Sequence, residues 1–274
     1  MRLIEKLKEM QIQKRALLAA NFYNLETCRG IVKASGTLGN PVILQLTPGS
    51  IKYMGLKTAT GIARTVSAEE NTQTWLHLDH CNDILLIKSC LDEGFDSIMI
   101  DASDKNIDDN ILLTRQAVKM AETYNVNVEA ELGYVPKPNS EIENDKFTEP
   151  ADAKRFFEET GITSLAIAIG SKHGFYKGEP KLDINRLKEI RKITNAYLVL
   201  HGASGIPSAI LREAISNGIT KVNVATDTKD LFMKTLKEIM KNSDDIDLRN
   251  VFPLAINEIQ KMIEQKIKIV SMIN

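Results

Sequence analysis

The 274-residue sequence predicts a (β/α)8 barrel, one domain over residues 1–274, and three observations carry that prediction. Eight short apolar runs alternate with longer amphipathic segments, the pattern of repeated strand–helix units. No proline- or glycine-rich linker divides the chain. Nearly every unusual polar residue falls where an apolar run ends, and in a barrel those ends share one rim. The same local pattern would permit an open doubly wound sheet, the alternative architecture.

The opening MRLIEKLKEMQIQK reads as an amphipathic helix through Leu3, Leu7 and Met10. Its charges recur too often for a signal peptide or a membrane span. The first strand, Ala16 to Phe22, ends near Asn21 and Asn24, and NLETCRGIVKAS follows as a helix. The second, Pro41 to Leu46, ends at Thr47, Pro48 and Gly49. The third, Thr74 to Asp79, runs into WLHLDHCND (Trp75 to Asp83) and ends at Asp79 and His80; the helix CNDILLIKSCLDEG then stops on glycine. The fourth, Asp96 to Asp101, is followed by Ser103 and the helix NIDDNILLTRQAVKMAETY. The fifth, Val126 to Leu132, carries Glu129 and Glu131. Next comes a polar, proline-rich stretch from Gly133 to Pro150 without a clear period, expected to be a lid or a disordered segment. The sixth strand, Ser164 to Ile169, runs into GSKHG; the seventh, Ala196 to His201, runs into GASG. The eighth, Ile219 to Ala225, carries Asn223 and ends at Thr226 and Asp227. LDINRLKEIRKIT and PSAILREAISNG are the helices before the last two strands, and Leu248 to Ile273 forms an extra C-terminal helix outside the barrel.

Apolar residues make up 43% and charged residues 26%, the balance of a soluble globular protein. A formal net charge of -1 supplies no global field for nucleic acid or an anionic membrane, and no basic stretch is interleaved with aromatics. Cys28, Cys81 and Cys90 form no disulfide framework, which points to a reducing, cytoplasmic setting.

On the barrel reading, His80, His173 and His201 reach one pocket from strands three, six and seven. Three neutral imidazoles with a fourth position open make a catalytic zinc site, although any one histidine alone is more often a hydrogen-bonded surface or core residue. His77 lies inside its strand and reads as a packed, hydrogen-bonded histidine. HGASG and NVATD follow strands seven and eight, where barrels often bind phosphate through backbone N–H groups.

These residues resemble the class II, metal-dependent ketose-bisphosphate aldolases, which include fructose- and tagatose-1,6-bisphosphate aldolases. The matching segments are NLE, PVILQLTPG, HLDH, SIMIDAS, VEAELG, SLAIAIGSKHGFYKGEPKLDINRL, LVLHGASG and KVNVAT, in order from about Ala20 to Thr226. The resemblance implies that His80, His173 and His201 bind a catalytic divalent ion, usually zinc, and that Asp79 is the proton donor and acceptor. It places Asp101 and Glu131 at a second or displaced metal position. It assigns Gly174, then Gly202, Ala203 and Ser204, then Asn223, Val224, Ala225 and Thr226 to the dihydroxyacetone phosphate part of a sugar phosphate. A monovalent cation near that phosphate and a homodimer or homotetramer are further implications.

Retro-aldol cleavage leaves a carbanion beside a ketone, so a lysine Schiff base or a metal ion must accept the charge. No candidate strand ends on a lysine, and Lys221 lies early in the eighth, so the residues favour the metal route. Two departures stand out. After ELG the family reads G-x-x-G-G-x-E-D, whose glutamate is thought to move a proton on the triose phosphate; here the segment has no glycine pair, Asn139 stands at the matching spacing, and Glu141 or Glu143 would have to substitute. Asp104 stands where relatives often carry histidine. The first departure motivates two alternatives: a related metal aldolase acting on another sugar-acid phosphate, and a pseudoenzyme that binds metal or sugar phosphate without turnover.

Overall fold

The computed structural model describes residues 1–136, 147–176 and 178–273. Eight parallel strands close into a barrel in sequence order: β1 (Leu17–Asn21), β2 (Val42–Leu46), β3 (Thr74–Cys81), β4 (Ser97–Ile100), β5 (Asn127–Leu132), β6 (Ser164–Ile167), β7 (Tyr197–Leu200) and β8 (Ile219–Val224). Every strand coincides with a predicted apolar run, and closure, with β1 paired to β8, excludes the open sheet.

Residue parity sorts the two faces. Even-numbered positions such as Leu18, Leu44, Leu76, Ile98, Leu198 and Val222, and in β6 the odd-numbered Leu165 and Ile167, face outward and are buried under the helices in one apolar core. The other set, odd-numbered except in β6, faces the barrel interior, because successive strand side chains alternate. At the bottom these are Leu17, Ala19, Ile43 and Trp75, capped by Leu3, Leu7 and Met10 of α1 (Leu3–Gln13). The predicted N-terminal helix is thus the plug that seals the barrel's N-terminal mouth. Further up, the interior turns polar: Gln45, His77, Asn127, Glu129 and Lys221 are all buried there.

The expected helices are present as α2 (Leu25–Leu38), α5 (Ile84–Asp92), α6 (Ile107–Glu122), α8 (Ile184–Ile193), α9 (Ser208–Ser216) and α11 (Leu248–Val270). Three further helices, α3 (Pro48–Met54), α4 (Leu56–Glu69) and α7 (Pro150–Thr160), fill segments in which the sequence singled out no period. α10 (Thr226–Asn242) descends from the end of β8. The C-terminal helix packs outside the barrel, as expected, burying Val251, Ala255, Ile259, Ile263 and Ile267 at four-residue spacing. Its partner is α2, where Gly30 admits the close approach: a Cβ there would lie 2.6 Å from Ile259 Cγ2. Asn139, Glu141 and Glu143 lie outside the described residues. No described helix is long and apolar enough to cross a membrane.

Candidate active site

β3 delivers two neighbouring side chains to one cavity, which a regular strand cannot do, since adjacent residues point to opposite faces. The register between β3 and β4 shifts between Leu78 and Cys81, so Asp79 and His80 form a bulge. His80 takes a positive φ of 49°, unusual for a residue other than glycine, and its backbone N–H reaches Met99 Sδ at 3.4 Å. The bulge turns His80 inward beside Asp79, whose odd position already faced the interior.

His173 follows β6 in the loop through Gly170–Gly174 and donates its backbone N–H to Pro136 O at 2.9 Å. His201 follows β7, fully buried. The turn after it passes against the 172–173 backbone so closely that a Cβ on Gly202, at φ +65°, would sit 2.5 Å from Lys172 O. Only glycine fits that conformation and that gap. Tyr176 ties the two loops together, accepting from Lys172 N and donating to Gly202 O, both at 2.9 Å.

The three imidazoles therefore meet, with donor nitrogens all within 4.8 Å of one another. Two of the rings, those of His80 and His201, have their other nitrogen anchored by a carboxylate. His80 Nδ1 is 2.8 Å from Asp101 Oδ2, and His201 Nε2 is 2.9 Å from Glu129 Oε1. Asp101 is itself held by Ser103 through N–H (3.2 Å) and Oγ (2.7 Å). With those nitrogens acting as donors, His80 Nε2 and His201 Nδ1 turn lone pairs toward each other at 2.9 Å. Glu131 Oε2, buried and without a hydrogen-bond partner among the described residues, lies 3.7 Å from the same His201 Nδ1. A shared cation satisfies all three atoms, so the residues present fit a divalent ion with nitrogen ligands.

The surroundings favour positive charge at this point, which a proton on His80 supplies when no ion is bound. Burial opposes a charge on His80, but Asp79, the hydrogen bond to Asp101, and Glu131 outweigh it and push the imidazole up to about 9. Burial would raise Asp79, yet the rings of His80, His201 and His77 and the Lys221 ammonium hold its carboxyl below the usual range. Burial and the neighbouring Asp101 raise Glu131. Asp79 Oδ2 accepts from Asn21 Nδ2 at 2.9 Å, and Oδ1 lies 3.5 Å from Asn223 Nδ2.

A cavity of about 360 Å3 opens above this group. Of the residues expected from the sequence, Asp79, His80, His173, Gly174, Gly202, Ser204, Asn223, Ala225 and Thr226 line it. His201, Asp101 and Glu131 stand buried behind His80. Ala203 and Val224 are buried in the apolar core around the barrel, away from the cavity lining, so only their backbones remain available to a ligand. The sequence reading missed Tyr23, Thr47 and Lys229, which complete the wall. Lys229 Nζ sits 5.3 Å from the centre of the Tyr23 ring, the cation–π distance. Thr47 ends a predicted strand and was a visible signal; Lys229 lies one helical turn past Thr226 and gave none.

A parallel barrel with its ionisable side chains gathered at the strand C-terminal rim has the architecture of an enzyme. The chain belongs to the class-II fructose-bisphosphate aldolase family: the family profile, described as "Fructose-bisphosphate aldolase class-II", matches residues 1–274. It is accordingly a lyase of a metal-dependent aldolase family. Among solved structures it resembles the YdjI aldolase from Escherichia coli K12, with a TM-score of 0.88 and 29% identity over 98% of this chain and 96% of that one. A putative fructose-1,6-biphosphate aldolase from Coccidioides immitis gives 0.89 and 28% over 98% and 96%. The fructose-bisphosphate aldolase from Campylobacter jejuni, at 23% identity and a TM-score of 0.85 over 99% and 95%, shares the fold.

Proposed function

We propose that this chain catalyses the reversible cleavage of a ketose 1,6-bisphosphate, tagatose or fructose, to dihydroxyacetone phosphate and glyceraldehyde 3-phosphate. The observation that carries the reading is the bulge placing the ionised Asp79 beside the three-histidine cluster at the floor of the cavity. His80 Nε2, His201 Nδ1 and an imidazole nitrogen of His173 would hold a divalent ion, which we take to be zinc. When bound, that ion supplies the electrophile that accepts negative charge as the carbon–carbon bond breaks.

The remaining roles fall to the chain itself. Asp79, oriented by Asn21 and Asn223, takes the proton from the hydroxyl beside the breaking bond and returns it in the condensation direction. Gly174, Gly202, Ser204 and the start of α10 at Thr226 hold the triose phosphate through backbone N–H groups, Ala203 and Val224 contributing main chain only. A monovalent cation beside that phosphate, a cytoplasmic location and a homodimer or homotetramer belong to the same proposal. Asp101 and Glu131 act behind His80 and His201, and Glu131 Oε2, 3.7 Å from His201 Nδ1, would be available to a displaced ion.

The test is triose phosphate release from fructose and tagatose 1,6-bisphosphates with chelator added, then with zinc restored. Cleavage that disappears and returns supports the reading, and the rate ratio identifies the sugar. A second reading keeps the metal and triose phosphate but exchanges the aldehyde half for that of another sugar-acid phosphate. The lost glycine pair after Leu132 favours it, and preference for such a substrate in the same assay would establish it.

A further inference from the structure

Beneath the cavity the barrel interior continues as an unbroken line of buried polar side chains. Glu129 Oε1 meets His201 Nε2 at 2.9 Å, and Glu129 Oε2 accepts from Lys221 Nζ at 2.7 Å. Lys221 Nζ lies 3.2 Å from His77 Nε2, and His77 Nδ1 lies 2.9 Å from Ser97 Oγ. All of these residues are at most 3% exposed. Glu129 is on β5 and Lys221 on β8, which are not neighbours in the barrel, so the pair spans the interior and serves no strand pairing.

A buried ion pair is weak evidence of a stabilising purpose, since apolar residues of similar volume often do as well. This pair has a more specific consequence. The ammonium only donates, so it holds Glu129 as an acceptor at both oxygens. The hydrogen between Glu129 and His201 must then sit on Nε2, leaving Nδ1 bare and facing His80 Nε2 at 2.9 Å. A competitor for the opposite tautomer is at hand: Asn223 Nδ2 lies 3.2 Å from the same Nε2 and would donate to it if Glu129 did not claim it. With Nδ1 protonated, the remaining lone pair of His201 points toward Asn223 and none faces His80.

We propose that Glu129 and Lys221 are positioning residues, fixing His201 in the tautomer and orientation that present Nδ1 to the divalent ion. This rests on the reading of His80, His173 and His201 as the ion's ligands. Losses of such supporting partners typically weaken metal binding about 10–100-fold.

The experiment measures Zn2+ affinity by chelator competition for the full chain, with 15N shifts of the His201 ring in metal-free protein and urea unfolding alongside. The variants are Glu129→Gln, Lys221→Met and the double Glu129→Leu/Lys221→Met, which leaves no acceptor for the His201 Nε2 hydrogen. Glu129→Gln is expected to bind Zn2+ about 10–100-fold more weakly and to move the His201 proton to Nδ1. The double variant buries no unpaired charge, so its urea midpoint is expected to recover toward wild type while Zn2+ affinity stays low. A merely structural pair would give the reverse, with affinity recovering along with stability, and that would overturn the proposal. Unchanged affinity and tautomer in Glu129→Gln would overturn it too. Wild-type affinity no better than that of His173→Ala would overturn the metal reading itself, a separate failure.

Discussion

Replacing Asp79 with asparagine separates chemistry from structure. The substitution keeps the shape and keeps one acceptor, which stays with Asn21 Nδ2 at 2.9 Å. The new amide nitrogen takes the Oδ1 position, 3.5 Å from Asn223 Nδ2 and 4.0 Å from His80 Nε2. Only that long, weak contact is lost, so the stability cost is about 1 kcal/mol, worth roughly 2–4 °C in Tm for a chain of this size. None of the three imidazoles is replaced, so metal content should hold. The proton acceptor, by contrast, is gone, and losing a positioned general base costs about 10²–10⁴-fold, or roughly 2.7–5.5 kcal/mol of barrier. The assay is kcat for triose phosphate release at saturating substrate, with metal content and thermal unfolding measured on the same preparation. A variant that keeps more than a tenth of wild-type kcat would refute Asp79 as the proton acceptor.

Four further outcomes are expected. Gly202→Ala forces a Cβ to within 2.5 Å of Lys172 O at a φ of +65°; strain and overlap together should cost about 2–5 kcal/mol in urea unfolding and weaken metal binding by displacing His173, and a cost under about 1 kcal/mol would contradict the close packing. Lys229→Ala removes a cation from the cavity wall and should raise KM for a bisphosphate at least tenfold with little change in kcat, whereas an unchanged KM would place the substrate phosphates elsewhere. Burial pushes the Cys28 and Cys90 thiols up to about 12 and Cys81 up to about 11. A raised thiol pKa stabilises the fold fully below about 9 and loses that contribution as pH climbs toward 12, so urea stability should fall between those values. The same burial predicts that a thiol reagent at pH 8 labels the native protein only as fast as it unfolds.

The barrel was legible because its signal is local. A strand buried on both faces reads as a short, nearly continuous apolar run, as AYLVLH does, while VNVEAEL alternates apolar with polar residues. The ends of those runs fell within a residue or two of the observed strands, and the polar residues at them do gather on one rim. His77 also behaves as read, a packed histidine bonded to Ser97 and Lys221. The helices between β2 and β3 were not legible, since α3 and α4 meet at Gly55, which breaks the period across the segment.

The site shows the same division more sharply. Which residue types stand at the strand ends, and on which face each strand position points, follow from the sequence alone. It did not reveal that Asp79 and His80 share a face, because that needs a bulge set by the pairing of β3 with β4. Nor did it reveal that Ala203 and Val224 offer only backbone, or that Lys229 reaches Tyr23. The partnership of Glu129 with Lys221 joins residues 92 positions apart, across a barrel interior that exists only once all eight strands close. Local periodicity is written into each run of residues. Contacts across the barrel depend on closure and register, which are properties of the assembled sheet and of no single segment.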